Sequence, residues 1–539
     1  MEYNIADLFE SVVDVVPDRE ALVYIDHPGT GAERRLTYAE LDAAANRVAH
    51  HLIDAGIRPG EHLGLHLYNG VEYVQTVLGC LKARVVPVNV NYRYVEEELV
   101  YLYRDADLVA LVFDTEFTER VAAALPRAEK LRHLVRVGTP AQDAPDVPAV
   151  AFTDAEAGGS AERGFPARSG DDQFIIYTGG TTGMPKGVMW RQEDLFFSGL
   201  GGGAPTGEPV KKPEELSERV AAGGAGITFF PAPPLMHGTS TLTALIGFNF
   251  GQRVVIHRKF VPEEVLRTVE KEKVTSMSLV GDAMLRPLID ALNGPMKGTD
   301  CSSMFSVSSS GAIMSETVRR QFQELLPNTM LLNNYGSSES GFNGTATADS
   351  GAGQSFRIRV NSRTQVVDPA THEPVAVGEI GRVAQCGHVP LGYYNDARKT
   401  AETFFEKDGR RWVLLGDMAT VDEEGVVTVL GRGSQCINTG GEKVYPEEVE
   451  QALKSHPDVY DALVAGVPDV RWGNHVAAVV QLRAGAERPS LDAIQTHCRT
   501  HLAGYKIPRQ LVIAESIQRS PSGKADYRWA REVAVAADQ

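Results

Sequence analysis

Cysteine is scarce in this chain of 539 residues. Cys80, Cys301, Cys386, Cys436 and Cys498 are odd in number, widely scattered and nowhere spaced as a metal motif. The simplest setting for them is a reducing cytoplasm. Positive charge is also in deficit, since 53 Lys and Arg against 70 Asp and Glu leave a formal net charge of −17. Such a chain lacks the basic footprint that nucleic acid or an anionic membrane requires, so an anionic ligand must meet a local positive site. No apolar run approaches the ~20 residues of a membrane span. The opening MEYNIADLFESVVDVVPDRE is acidic and has no basic segment followed by an apolar core, so export is not expected. Repeats at solenoid spacing and long low-complexity segments are missing too. What remains is the composition of a globular protein, 43% hydrophobic and 23% charged, on a chain too long for one core.

The stretch that stands out is YTGGTTGMPKGV, Tyr177 to Val188. It follows the β-type run FIIY and gathers Thr178, Gly179, Gly180, Thr181, Thr182, Gly183 and Lys186. Glycines let backbone N–H groups approach phosphate oxygens, threonine hydroxyls add donors, and a lysine supplies a point charge. The composition points to a nucleoside triphosphate; a plain surface loop is the bland alternative. Pro185 before Lys186 and Gly187 after it break the Walker pattern, so the loop is not expected to wrap onto a helix N-terminus.

Thr37 and Glu40 form a capping-box pattern, and Leu41, Ala45, Val48 and Leu52 recur at helical spacing up to Gly56, which predicts a helix from Tyr38 to Ala55. EHLGLHL, a helical pattern over 73–83, VVPVNV and LVALVF then alternate strand and helix, implying a parallel sheet covered by helices. Gly199 to Gly226 reads as a long loop. His237, after a Pro-Pro pair in FFPAPPLMHGTS, is more easily displayed than buried. SVSSSGAIM and NNYGSSESG are strand ends spilling into small residues, room for a flat ring, although either alone could be a Ser/Gly turn. Period-two patterning from Gly378 to Arg432 suggests a smaller β-rich subdomain, in which Asp417 could be a turn residue. Beyond Arg432 a Gly/Ser link leads into a helix started by Pro446, marking a domain boundary. The rest reads as a small α+β domain with a helix near 490–502, ending in RSPSGKADYRWA, where Lys524 would ordinarily be solvated.

In their order and spacing these motifs resemble those of the adenylate-forming superfamily over nearly the whole chain: acyl-CoA synthetases, peptide-synthetase adenylation domains and beetle luciferases. NVNYRYVEEEL, GDAMLRPLIDAL, GGEKVYPEEVE and SPSGKADYRWA look most like actinobacterial fatty-acyl-CoA ligases, including those acting on steroid side-chain carboxylates. The resemblance implies an α/β fold, with a large N-terminal domain over 1–432, a hinge at 433–435 and a small mobile C-terminal domain over 436–539. It implies ATP or AMP binding by Thr178, Gly179, Gly180, Thr181, Thr182, Gly183 and Lys186. Ser310, Gly311, Ala312, Asn334, Tyr335, Gly336 and Ser338 would hold adenine and phosphate, and Asp417 with Arg432 the ribose. Glu339, with Thr181, would serve Mg²⁺; His237, Gly238 and Thr239 would line the acyl pocket; Gly440 and Gly441 would pass coenzyme A. Ser434 occupies the hinge, and Lys524, with Lys186 and His237, the catalytic role. The chain departs from the family at Gly179, usually Ser, at Leu415, commonly Thr, and at Ser434, commonly Asp or Lys.

The implied reaction is ATP-dependent ligation of a carboxylic acid to coenzyme A through an acyl-adenylate, with a medium- or long-chain fatty acid or a steroid side-chain acid as substrate. Loading of a carrier protein, or nucleotide binding without catalysis, are the alternatives. No nucleic-acid partner is expected, and a homodimer is compatible with the reading.

Overall fold

The computed structural model describes all residues except 27–32, 179–183, 205–206, 225, 347–355, 361, 440–441, 470, 521–522 and 539. Two sheets build the large N-terminal part. In the eight-stranded one, five parallel pairings join Gln173–Thr178, Val86–Asn89, His62–His66, Leu108–Asp114, His133–Val137 and Val150–Ala151. Their near-continuous apolar sequences fit strands buried on both faces. The helix Tyr38–Asp54 starts at the expected capping box, with Thr37 accepting from the Glu40 N–H and Glu40 reaching back to the Thr37 N–H. It packs on the helix Val71–Lys82. Within this packing Lys82, fully buried, pairs with Glu10 at 2.5 Å and Asp42 at 2.6 Å, so its charge is compensated where solvent cannot reach.

The other sheet has fourteen strands among the described residues. One half is parallel and covered by helices. The other is antiparallel and includes Gly381–Cys386, Arg410–Val421 and Val426–Arg432. The expected β-rich section is present, and its strands continue the large sheet, since Phe356–Val360 pairs with both Val426–Arg432 and Gly341–Ala346. One correction concerns the expected loop at Gly199 to Gly226. It contains the helix Glu214–Ala221, which buries Leu216 and Val220, an apolar pair at i, i+4 that glycine-rich surroundings hid.

The small C-terminal part has a three-stranded sheet, Val459–Asp469, Gly473–Leu482 and Gln510–Ala514, antiparallel then parallel. Separate apolar clusters lie on its two faces, one under the helices Pro446–Lys454 and Leu491–Arg499, the other under Tyr527–Asp538.

Candidate functional site

Thr178 and Lys186 are directly paired in the antiparallel strands Gln173–Thr178 and Lys186–Arg191. The glycine-rich stretch thus joins two strands and does not open a helix, as expected. Gly179, Gly180, Thr181, Thr182 and Gly183 lie outside the described residues, and so do Gly440 and Gly441. Lys186 Nζ is 3.3 Å from Asp396 Oδ2 and 5.4 Å from the centre of the Tyr393 ring. The Tyr393 hydroxyl donates to Glu339 Oε1 at 3.0 Å. One short segment, residues 393–396, therefore touches both the lysine and the carboxylate expected to meet the phosphates and the metal.

The two small-residue strand ends are neighbours. Ser306–Ser310 and Met330–Ser337 pair in parallel, with Ser310 opposite Asn334. Gly311 turns the chain at φ +82°, and Ser309 Oγ fixes that turn by donating to the Ala312 carbonyl at 2.6 Å. Asn334 Oδ1 accepts from the Thr345 hydroxyl at 2.9 Å. At Gly336 a Cβ would lie 2.1 Å from the Gly341 carbonyl oxygen, so only glycine fits. The Ser338 carbonyl accepts from Trp190 Nε1 at 2.9 Å. Tyr335 is buried and its hydroxyl donates to Asp417 Oδ2 at 3.0 Å, while Asp417 faces Arg432 across the ladder with Nε 3.5 Å from Oδ1. Asp417 is thus a strand residue held by two partners, not a turn residue.

His237 caps the N-terminus of the helix Gly238–Asn249, with its carbonyl accepting from the N–H groups of Ser240 and Thr241. The expectation of a displayed side chain holds for only part of it, because Nε2 is buried and has no hydrogen-bond partner. Burial, with Lys524 and Arg93 nearby, pushes the imidazole pKa down to about 3, so the ring is neutral at physiological pH. A Cβ on Gly238 would be 3.3 Å from Ile176, and the Thr239 carbonyl accepts from the Thr243 hydroxyl at 2.8 Å. Gly238 also borders an apolar cavity lined by Leu65, Tyr73, Phe174, Leu235 and Met236. Asn89 joins this region to the phosphate strand: its amide donates to the carbonyls of Tyr177 and Met236 and accepts from the Tyr177 N–H, at 2.8 to 2.9 Å.

Lys524 arrives from the C-terminal part, on a turn closed by Ser520 N–H to the Lys524 carbonyl and by Arg519 to the Gly523 carbonyl. It is no tail residue. A Cβ on Gly311 would be 3.2 Å from Lys524 Cε, and the ammonium sits in the fields of Arg432, Glu339 and Asp417. The side chain stays open to solvent, with the N-terminal wall at Gly311 close against it. That surround lowers its pKa first, Arg432 lowers it further, and the two carboxylates oppose the shift. Ser434 lies in the single 3₁₀ turn Gly433–Gln435 that connects the two parts. Just before it, Gly431 at φ +132° meets the C-terminal part: a Cβ there would be 2.4 Å from Glu447 Oε2. Glu447 is pushed up to about 8 by burial, with Glu450 and Asp417 adding repulsion.

Sequence reasoning passed over Asn89, Tyr393, Asp396 and Glu447. Asn89 left a signal, a lone amide at the end of the apolar run VVPVNV. The others sat in segments read only for their strand pattern or their helix start.

As assembled, the cleft offers two hydrogen-bonded groups for a diol, a carboxylate for a hard cation, two lysines for phosphate oxygens and a neutral imidazole beside an apolar cavity. Comparison with known proteins agrees. The chain matches the AMP-binding enzyme family over residues 9–394 and the AMP-binding enzyme C-terminal domain over 448–524. It is 47% identical over 536 residues to a medium/long-chain-fatty-acid–CoA/3-oxocholest-4-en-26-oate–CoA ligase of Mycobacterium tuberculosis, covering 98% of this chain and 96% of that one. A 3-oxocholest-4-en-26-oate–CoA ligase of Rhodococcus rhodochrous is 43% identical over 547 residues, covering 99% and 96%. The crystal structure of the anthranilate CoA ligase AuaEII with anthranoyl-AMP superposes with a TM-score of 0.85 at 23% identity, covering 100% of this chain and 98% of that one. Architecture and sequence lead to one assignment: the chain belongs to the AMP-binding enzyme family, the adenylate-forming superfamily that includes the acyl-CoA synthetases.

Proposed function

We propose that the chain is an ATP-dependent acid:CoA ligase whose N-terminal domain, 1–432, and C-terminal domain, 436–539, alternate about a hinge at 433–435. The observation that carries the reading is the approach of Lys524 to Gly311, with Glu339, Asp417 and Arg432 around the ammonium. In the first half-reaction Ser310 to Ala312 and Asn334 to Gly336 flank adenine, and Asp417 with Arg432 holds ribose. Thr178, residues 179–183, Lys186 and Ser338 receive the phosphates. His237, neutral, donates a hydrogen bond to the substrate carboxylate and leaves it anionic and nucleophilic. Gly238 and Thr239 border the acyl group. As that carboxylate attacks the α-phosphate and pyrophosphate leaves, Lys524 and Lys186 stabilise the developing charge.

Glu339, whose Oε1 is held by the Tyr393 hydroxyl, offers a hard carboxylate oxygen that would carry a Mg²⁺ ion together with Thr181 and, mostly, the nucleotide phosphates. Bound there, it neutralises charge on the departing pyrophosphate. In the second half-reaction the domain turns about Ser434, Lys524 withdraws, and Gly440 and Gly441 border the path of the coenzyme A thiol to the acyl carbonyl, from which AMP departs.

The acid we infer is a medium- or long-chain fatty acid or a steroid side-chain carboxylate. Support comes from the names of the two relatives and from Ile313 and Phe342, which stay 40% and 47% exposed next to the small-residue walls. All five cysteines are free, in keeping with a reducing cytoplasm, and no helix among the described residues is long and apolar enough to cross a membrane. Short, medium, long and steroidal acids assayed for pyrophosphate and for acyl-CoA test the proposal. We expect pyrophosphate with ATP and an apolar acid, and thioester once coenzyme A is added. Adenylate formation without thioester would mean a carrier loader; no pyrophosphate with any acid would mean a binding module.

A further inference from the structure

The helix Gly281–Asn293 carries Asp282, Arg286 and Asp290 four residues apart, a single charged stripe. Each of these meets the C-terminal domain. Asp282 Oδ2 is 3.6 Å from Lys454 Nζ. The Arg286 guanidinium lies 4.9 Å from the centre of the Tyr460 ring, and the Tyr460 hydroxyl donates to Asp290 Oδ2 at 3.3 Å. At the end of the same helix a Cβ on Gly523 would be 3.2 Å from Val280 and 3.3 Å from Ala283, so the turn that bears Lys524 rests on the helix start. That turn is tied back to the stripe's other partners, because Arg519 binds both oxygens of Asp461, and Asp461 lies 3.7 Å from Lys454.

We propose that this stripe and its partners Tyr460 and Lys454 form the latch that holds the C-terminal domain in the orientation bringing Lys524 to Gly311, with Tyr460 as the positioning residue. Arg286 is only 2% exposed, and Nη1 and Nη2 have no hydrogen-bond partner; the Tyr460 ring lies against its charge, with the like-charged Arg483 of the C-terminal domain also within electrostatic reach. A desolvated cation against an aromatic ring attracts, while its lost hydration opposes burial. The two effects leave an interface that closes and can reopen, which a domain that must turn in every catalytic cycle requires. An apolar seal would not reopen as readily.

The inference rests on the reading that Lys524 serves adenylation, and the test keeps the two apart. Pyrophosphate release without coenzyme A, and thioester formation from supplied acyl-adenylate, are measured for Tyr460→Phe, Tyr460→Ala and Asp290→Asn, with Lys524→Ala as reference. Tyr460→Ala should slow adenylation about 10-fold and Tyr460→Phe and Asp290→Asn about 2- to 3-fold, while thioester formation is unchanged or faster. The double variant Tyr460→Phe with Asp290→Asn should be no worse than Tyr460→Phe alone, since once the hydroxyl is gone position 290 has no hydrogen bond to Tyr460 left to lose. Equal loss in both half-reactions, or no loss in adenylation, overturns the latch. If Tyr460→Ala lowers the Tm, the two volume-conserving variants decide. A Lys524→Ala variant that damages both half-reactions equally would instead overturn the functional reading.

Discussion

The two sides of the cleft are built on different principles. On the N-terminal side the walls are strand ends in a large sheet, fixed by hydrogen bonds such as Ser309 to Ala312 and Tyr335 to Asp417 and backed by fully buried strand residues such as Met277, Leu279 and Val307. On the C-terminal side a single lysine stands on a turn, and the contacts that carry it across are charged and aromatic pairs between Lys454 and Asp282 and between Tyr460 and Arg286. The contrast separates recognition from timing. A binding wall must keep its geometry through the whole cycle, so it is made of packed backbone; a group needed for one step must leave, so polar contacts that water can replace hold it.

Lys524→Ala should break this division most severely. A positioned charge on a transferring group is worth several kcal/mol, so adenylate formation should fall by about 10²-fold or more, with thioester formation from supplied acyl-adenylate largely kept. Separate assays of the two half-reactions give the answer, and equal losses would remove the lysine from its role. Ser434→Pro tests the same division at the hinge. Proline would fix φ near about −65° and remove a backbone donor within the turn Gly433–Gln435. One half-reaction should survive and the other be suppressed about 10-fold or more; a uniform loss would indicate misfolding, and no loss would move the hinge elsewhere.

On the static side, Glu339→Gln keeps the volume and the contact with Tyr393 but removes a charged oxygen ligand. The magnesium requirement for pyrophosphate release should rise about 10-fold, and an unchanged magnesium titration would assign the ion to another residue. The smallest effect is expected at the seam itself. Glu447 on the C-terminal helix faces Glu450 of its own helix, the backbone of Gly431 and Arg432, and the charge of Asp417, and is pushed up to about 8. Because this value lies above that of the unfolded chain, its contribution to the closed seam is fully present below about pH 4.5 and is lost as pH rises through about 8. Adenylation should therefore decline relative to thioester formation between about pH 4.5 and 8 and level off above that, and Glu447→Gln should flatten the decline. A ratio that stays pH-dependent in the variant would assign the effect to another group.

Much of this was legible in the residues. The capping box at Thr37 and Glu40, the strand before the glycine-rich stretch and the helix begun by Pro446 all formed as their local chemistry predicts. Local signals failed where the deciding contact lies far along the chain. Asp417 looked like a turn residue because its partners, Tyr335 and Arg432, are supplied by other strands. Lys524 is exposed, as its polar segment suggests, but nothing within that segment reveals Gly311 as a neighbour.

The sequence by itself determined the elements, the order of the motifs and the chemistry each could perform, because caps, periodicity and glycine placement act over a few residues. Only the tertiary structure decided that the β-rich strands extend the large sheet, that Tyr393 and Asp396 reach Glu339 and Lys186, and that the helix bearing Asp282, Arg286 and Asp290 faces Lys454 and Tyr460. Those contacts join residues far apart in the chain, and they form only when burial of the strands and helices between them brings the two ends together.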